Sequence, residues 1–158
     1  MEKFPITKAG FEKLKKDLET MKTVDVLQNV REIETARAHG DISENAEYAA
    51  AKERQAFIHG RLQELENNLA HCRVIDVKGL SDEKVVFGTT VKISDMESGE
   101  EISYRLVGPF ESDIALHRIS VTSPIGKAMI GKRVGDEVKV NAPGGQRYFE
   151  IIDISIED

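Results

Sequence analysis

The chain has 158 residues, enough for one ordinary domain or two small ones, and its 40% hydrophobic and 32% charged content describes a folded protein with a large exposed surface. Aromatic residues make up only 6% and Trp is absent, which disfavours a large aromatic-lined ligand pocket. The net charge of −6, carried mostly by residues 76–158, argues against a generic nucleic-acid binder, because neutralising phosphates needs a surplus of Lys and Arg.

The first long run opens at Ile6-Thr7, with Thr7 as the expected helix N-cap. Phe11, Leu14, Leu18 and Met21 then repeat at heptad spacing, which places them in one seam. Val24, Leu27, Val30 and Ile33 continue an apolar stripe at steps of three, so the register slips after Met21. The segment Thr23-Val24-Asp25-Val26 is where a change in winding is expected, since its β-branched residues lower helix propensity. Gly40 reads as the helix stop.

A second helical run is expected after Asp41. Ala46, Ala49, Ala50 and Ala51 favour helix and keep the partner close, and Ile58, Leu62, Leu65, Leu69 and Cys72 form a clean heptad seam with Gly60 on the side away from it. Each run is about 30 residues, or roughly 45 Å at ~1.5 Å per residue. A turn of a few residues makes them antiparallel neighbours, giving a protruding hairpin of two helices.

After Arg73 the composition turns β-branched. Thr90–Ser94 and Glu101–Val107 alternate as strands around a turn at Asp95–Glu100, and Ile119–Val121 is a third. Ser123-Pro124 marks a helix start that ends at Gly131, and Glu137–Val140 and Tyr148–Ile156 are two more strands. The predicted fold class is therefore α+β: residues 1–75 form an antiparallel coiled-coil domain, and residues 76–158 an antiparallel β-sheet domain with one short helix. Cys72 is the only cysteine, so no intrachain disulfide can form; the N-terminus lacks a signal-like apolar core, and no apolar stretch approaches the roughly 20 residues that span a bilayer. A cytoplasmic location is expected.

The stretch His39-Gly-Asp-Ile-Ser-Glu-Asn-Ala-Glu-Tyr48, at the hairpin tip, carries the candidate chemistry. One account of Asp41 and Glu44 is a capping box on the second helix. The other is metal chemistry: two carboxylates on one turn cannot cage Mg²⁺, but they complete a site whose other ligands lie on a partner. Arg37, Lys52 and Arg54 flank the tip, either as surface salt-bridge partners or as a basic patch for a phosphate backbone. The four histidines have no metal-ligand spacing, and Cys72 sits at a seam position, where packing is the expected role. No nucleophilic triad and no nucleotide-binding signature is present.

The tip stretch, together with Ser123-Pro-Ile-Gly-Lys-Ala-Met-Ile-Gly-Lys132 and Val134-Gly-Asp-Glu-Val138, resembles the Gre family of bacterial transcription elongation factors over essentially the whole chain. The resemblance implies an N-terminal coiled coil and a C-terminal domain similar to FK506-binding proteins. It implies a factor, itself no enzyme, that enters the secondary channel of bacterial RNA polymerase and stimulates the polymerase's own cleavage of backtracked RNA. Asp41 and Glu44 would then serve the second catalytic Mg²⁺ of the polymerase, with no cofactor of the chain's own. Arg37 and Lys52 would contact the RNA 3′ end, and Ser123, Pro124 and Ile125 would grip the coiled coil at the channel rim. A monomer with no membrane partner is expected. Lys52 stands where Arg is familiar in the family, and the Val24–Leu27 segment lacks a proline found in some members. A channel-binding regulator without cleavage activity is the alternative, and a prolyl isomerase activity of the C-terminal half is a weaker one, given how few aromatic residues could line its pocket.

Overall fold

A computed structural model describes residues 3–40 and 45–156. The chain folds as two compact units, Met1–Gly10 with Cys72–Asp158, and Phe11–His71. The first ten residues thus belong with the C-terminal unit rather than with the helices that follow them.

The helical unit is built from α1 (Lys8–Thr20), a π-helical turn (Met21–Asp25), α2 (Val26–Arg37) and α3 (Ala46–Ala70). The expected change of winding is this π turn, in which the Val26 amide reaches back to the Met21 carbonyl. It inserts one residue into the seam, and that corrects the sequence reading downstream. Val24 and Leu27, placed in the stripe by their spacing, are 54% and 55% exposed, and Val30 is exposed too. Ile33, the last residue of that stripe, does turn inward, and Asn29 and Ala36 join it. Steps of three mark the slip but do not fix which face meets the partner after the turn. On α3 the buried side is Ala51, Ile58 and Leu65, and Gly60 is exposed as expected.

Cross-helix contacts fix the pairing. Lys22 meets Glu66 at 3.4 Å, Asn29 donates to the Ala51 carbonyl at 3.0 Å, and Asn45 donates to the Ala36 carbonyl. Residue numbers rise along one helix as they fall along the other, so α2 and α3 are antiparallel. Asn29 is only 3% exposed. A buried amide bonded to one carbonyl of the facing helix favours a single register, the role a polar seam residue commonly has in a coiled coil.

The C-terminal unit contains a two-stranded parallel pair, β1 (Phe4–Thr7) and β2 (Cys72–Ile75). Ile6-Thr7 therefore closes a strand, and α1 follows at Lys8. Thr7 still acts as the expected cap, accepting from the Gly10 amide at 3.1 Å. Glu111 gathers this corner. Its carboxylate accepts from the Thr7 amide at 2.8 Å, the Gly108 amide at 3.1 Å and the Thr7 hydroxyl. Phe4 meets Phe110 edge-on at 5.3 Å. Burial, with the Glu111 charge as a second cause, pushes the Cys72 thiol above its ordinary value, so it is poorly suited to thiolate chemistry, in keeping with a packing role.

The main sheet has five strands: β3 (Thr89–Asp95), β4 (Glu101–Val107), β5 (Arg118–Ser120), β6 (Glu137–Ala142) and β7 (Gly145–Ile156), in the order β5-β4-β3-β7-β6. Alternation along β3 buries Thr89, Val91, Ile93 and Asp95 and turns the residues between them outward. The core gathers Val85, Val91, Ile93, Leu106, Met129 and Ile151, with Met129 contributed by the short helix α4 (Pro124–Met129). The sheet is antiparallel as predicted except at one edge, where β5 runs parallel to β4. After β4 the chain crosses over through residues 108–117, including a 3₁₀ turn at Ile114–Leu116, before returning in the same direction. A three-residue strand shows its existence in sequence but not its direction.

The β3–β4 hairpin turns on Asp95. Its carboxylate accepts from the amides of Glu97 (2.8 Å) and Ser98 (3.2 Å) and pairs with Arg147 across the sheet. The Arg147 hydrogen bond, then the two amides, hold the Asp95 carboxyl below its usual range. A carboxyl with a depressed folded-state value stabilises the fold above its unfolded value, about pH 4, and that contribution is lost as pH falls through the folded value. Asp95→Asn is expected to lower the melting temperature at pH 7 and to flatten its decline between pH 5 and pH 2. Identical acid slopes in the two proteins would refute this.

Candidate functional site

The tip is built by the ends of two helices. α2 closes with two tightened turns, the His39 amide donating to the Ala36 carbonyl at 3.2 Å and the Gly40 amide to the Arg37 carbonyl at 3.3 Å. Gly40 then takes φ 112°, a conformation that favours glycine, and ends the run as predicted. On the far side α3 begins at Ala46 with Asn45 as its N-cap. The Asn45 side chain accepts from the Tyr48 amide at 3.1 Å while its amide group donates to the Ala36 carbonyl. One side chain thus caps α3 and staples it to α2.

The start of the second helix differs from the sequence expectation. The second helix starts at Ala46, not just after Asp41, and its cap is Asn45. Asp41 and Glu44 themselves lie outside the described residues. Sequence reasoning passed over Asn45 because Asp41-x-x-Glu44 fits the capping-box pattern more fully. The available signal was that Asn is an equally strong cap and immediately precedes the alanine-rich run. Asn45→Ala is expected to cost about 1 kcal/mol of helical stability, read as an earlier loss of far-ultraviolet helical signal on heating. An unchanged transition would show that the staple contributes nothing.

The basic residues divide into different roles. Arg37, on the last turn of α2, is exposed and lies over the Tyr48 ring at 5.8 Å, which orders its guanidinium without neutralising it. Lys52 is exposed one to two turns into α3 and donates to Gln55 at 2.7 Å, where salt bridging to a Glu was one expectation. Arg54 is tied to Glu32 across the hairpin and so serves to join the helices. His39 faces Glu47 at 3.3 Å. Among the described residues no three His, Cys, Asp or Glu side chains come together to hold a metal ion.

The second candidate segment lies on the C-terminal unit. Ser123 caps α4, accepting from the Gly126 amide at 3.1 Å and donating to the Ser120 carbonyl at 2.6 Å. Pro124 occupies the first helical turn and is exposed, while Ile125 packs partly against the core. The motif therefore presents a rigid corner: a cap anchored to the end of β5, an exposed proline ring and a half-buried isoleucine. Gly126 is required there, because a Cβ on it would lie 2.1 Å from the Ser120 carbonyl oxygen.

Nearly the whole chain matches two family models: the N-terminal domain of transcription elongation factors over residues 4–74, and the C-terminal domain of GreA/GreB transcription elongation factors over residues 80–156. The chain belongs to the GreA/GreB family of transcription elongation factors. It is 64% identical to the transcription elongation factor GreA of Syntrophus aciditrophicus, over 99% of this chain and 97% of that protein. It is 50% identical to the GreA of Rhodospirillum rubrum, over 96% of each chain. Among solved structures it is similar to the GreA factor homolog Gfh1 of Thermus thermophilus, at 30% identity and a TM-score of 0.44 over 97% of this chain and 99% of that one. Among the described residues no helix is long and apolar enough to cross a membrane.

Proposed function

We propose that this elongation factor inserts its helical unit, Phe11–His71, into the secondary channel of bacterial RNA polymerase and stimulates the polymerase's own cleavage of backtracked RNA. Near-full-length identity to a GreA factor carries this reading. The assignment of roles rests on the tip. Because Asn45 caps α3, the carboxylates of Asp41 and Glu44 are not needed for that cap and suit hard-oxygen ligation instead. They would share the polymerase's second Mg²⁺, which in such sites makes a bound water nucleophilic at neutral pH.

The chain's other residues bind and position. Arg37, ordered on Tyr48 yet still charged, and Lys52 would hold a phosphate of the extruded RNA 3′ end by charge and hydrogen bonds. Lys52 does so as a point charge rather than as a bidentate fork. Ser123, Pro124 and Ile125, in residues 76–158, would seat on the coiled coil at the channel rim. The factor acts as a cytoplasmic monomer and lends ligands to chemistry that belongs to the polymerase.

The test is incubation with an arrested elongation complex whose RNA is labelled at its 3′ end. Short 3′ fragments, released faster with the factor than without it, support the proposal. Binding to the polymerase with no gain in RNA shortening would make the chain a channel-binding regulator.

A further inference from the structure

The outer face of the five-stranded sheet holds a basic pocket of about 280 Å³, lined by Thr90, Ser103, Arg105, Leu116, His117 and Arg118. Pairing of β3, β4 and β5 assembles it: Thr90 lies opposite Arg105, and Arg105 lies beside Arg118 on the parallel strand. The crossover completes the wall. His117 takes φ 56°, uncommon for a residue other than glycine, and leads directly into Arg118.

Two features of this pocket call for a ligand. Arg105 Nε and the Thr90 hydroxyl are both buried without a hydrogen-bond partner among the described residues. Burying a donor unsatisfied is costly, and more so when it is charged. In addition, two guanidinium groups sit on adjacent strands, an arrangement that is repulsive unless something answers it. Arg54, Arg61 and Arg147 each hold a carboxylate, whereas neither Arg105 nor Arg118 makes an ion pair among the described residues. Of the neighbouring acids, Glu101 pairs with Lys92 at 3.2 Å, while Asp113, the bridge partner of Arg118, turns its carboxylate to the Ala115 amide at 3.0 Å and makes no ion pair with Arg118. This occurs in a chain whose net charge is −6, where acidic partners are abundant.

We propose that this pocket binds a phosphate-class oxyanion, as inorganic phosphate or as the phosphoryl group of a small phosphomonoester. Arg105 and Arg118 supply the charge, and the Thr90 and Ser103 hydroxyls supply further donors. A dianion with three or more acceptor oxygens fits two guanidinium forks and two hydroxyls better than a carboxylate, which brings one charge and two oxygens. A water would satisfy hydrogen bonds and leave both charges unanswered. The pocket shares no residue with the tip or with the Ser123–Ile125 corner, so its occupancy is independent of the proposed cleavage role.

The experiment is titration of the full chain with inorganic phosphate at constant ionic strength, following the Arg105 Nε–H resonance by NMR. A saturable shift with a dissociation constant of about 1 mM or tighter is expected. Arg118→Gln, an exposed position that leaves the core intact, should weaken binding at least about tenfold, and Thr90→Val should weaken it by a smaller factor. Lys92→Gln should leave it unchanged. A nucleoside monophosphate binding more tightly than phosphate would identify the ester as the source, and equal or weaker binding the free ion. A non-saturating response, or one that chloride reproduces or Arg118→Gln leaves intact, would overturn the proposal.

Discussion

The double variant Asp41→Ala, Glu44→Ala is expected to compete for the polymerase as well as the parent chain does and to lose stimulated cleavage by at least about a hundredfold. Removing an outer-shell partner of a metal ligand costs about 10–100-fold, and here the oxygens proposed as ligands are themselves removed. Retained binding follows from separate placement, because the residues proposed to grip the channel rim lie at Ser123–Ile125. Retained helix follows from the cap: Asn45 satisfies the Tyr48 amide and reaches the Ala36 carbonyl without help from either acid. The circular dichroism spectrum should therefore match that of the parent. Undiminished cleavage by the double variant would remove the metal role, and a loss of helix would return the two acids to a capping role.

The second large effect is expected from Gly126→Ala. An added Cβ would sit 2.1 Å from the Ser120 carbonyl oxygen and 3.0 Å from the Ser123 hydroxyl oxygen, so backbone must move. The helix α4 would have to lift from the end of β5, and Ser123 could not keep both its bonds, to Gly126 and to Ser120. Overpacking of this kind costs about 1–3 kcal/mol and sometimes more, so the melting temperature should fall by several degrees. On the proposed reading polymerase affinity should fall as well, since the displaced corner is the gripping segment. Gly60→Ala is the contrast. Gly60 lies in the middle of α3 with nothing within 4 Å of the position its Cβ would take. Alanine there should raise helical stability by up to about 1 kcal/mol. If Gly126→Ala proved as benign as Gly60→Ala, the account of this corner would fail.

Local sequence carried much of the architecture. Heptad spacing located both helical runs, β-branching and a register slip located the π turn, and Ser-Pro marked the start of α4. Each is a property of a few neighbouring residues, decided by backbone propensity and side-chain periodicity. The tip motif carried the family as well, because its residues are specific in type and order.

Where sequence fell short, a choice between partners was involved. Counting in threes placed Val24, Leu27, Val30 and Ile33 in the seam, but of these only Ile33 is buried there, joined by Asn29 and Ala36. The slip could be read locally, but which face then met α3 depended on α3. Asp41-x-x-Glu44 satisfied a capping pattern, yet Asn45 is the cap of α3, and its side chain also reaches the end of α2. The parallel placement of β5 and the pairing of Phe4–Thr7 with Cys72–Ile75 join segments far apart in the chain.

The sequence by itself determined the two long helical runs, the helix stop at Gly40, the start of α4 and most of the strands of the main sheet, since these rest on residue type and short spacing. Tertiary structure alone decided the seam register, the cap of α3, the sheet direction and the meeting of Arg105 with Arg118 beside Thr90. Those outcomes depend on which distant groups compete for the same hydrogen bonds and buried positions, and no local pattern ranks such competitors.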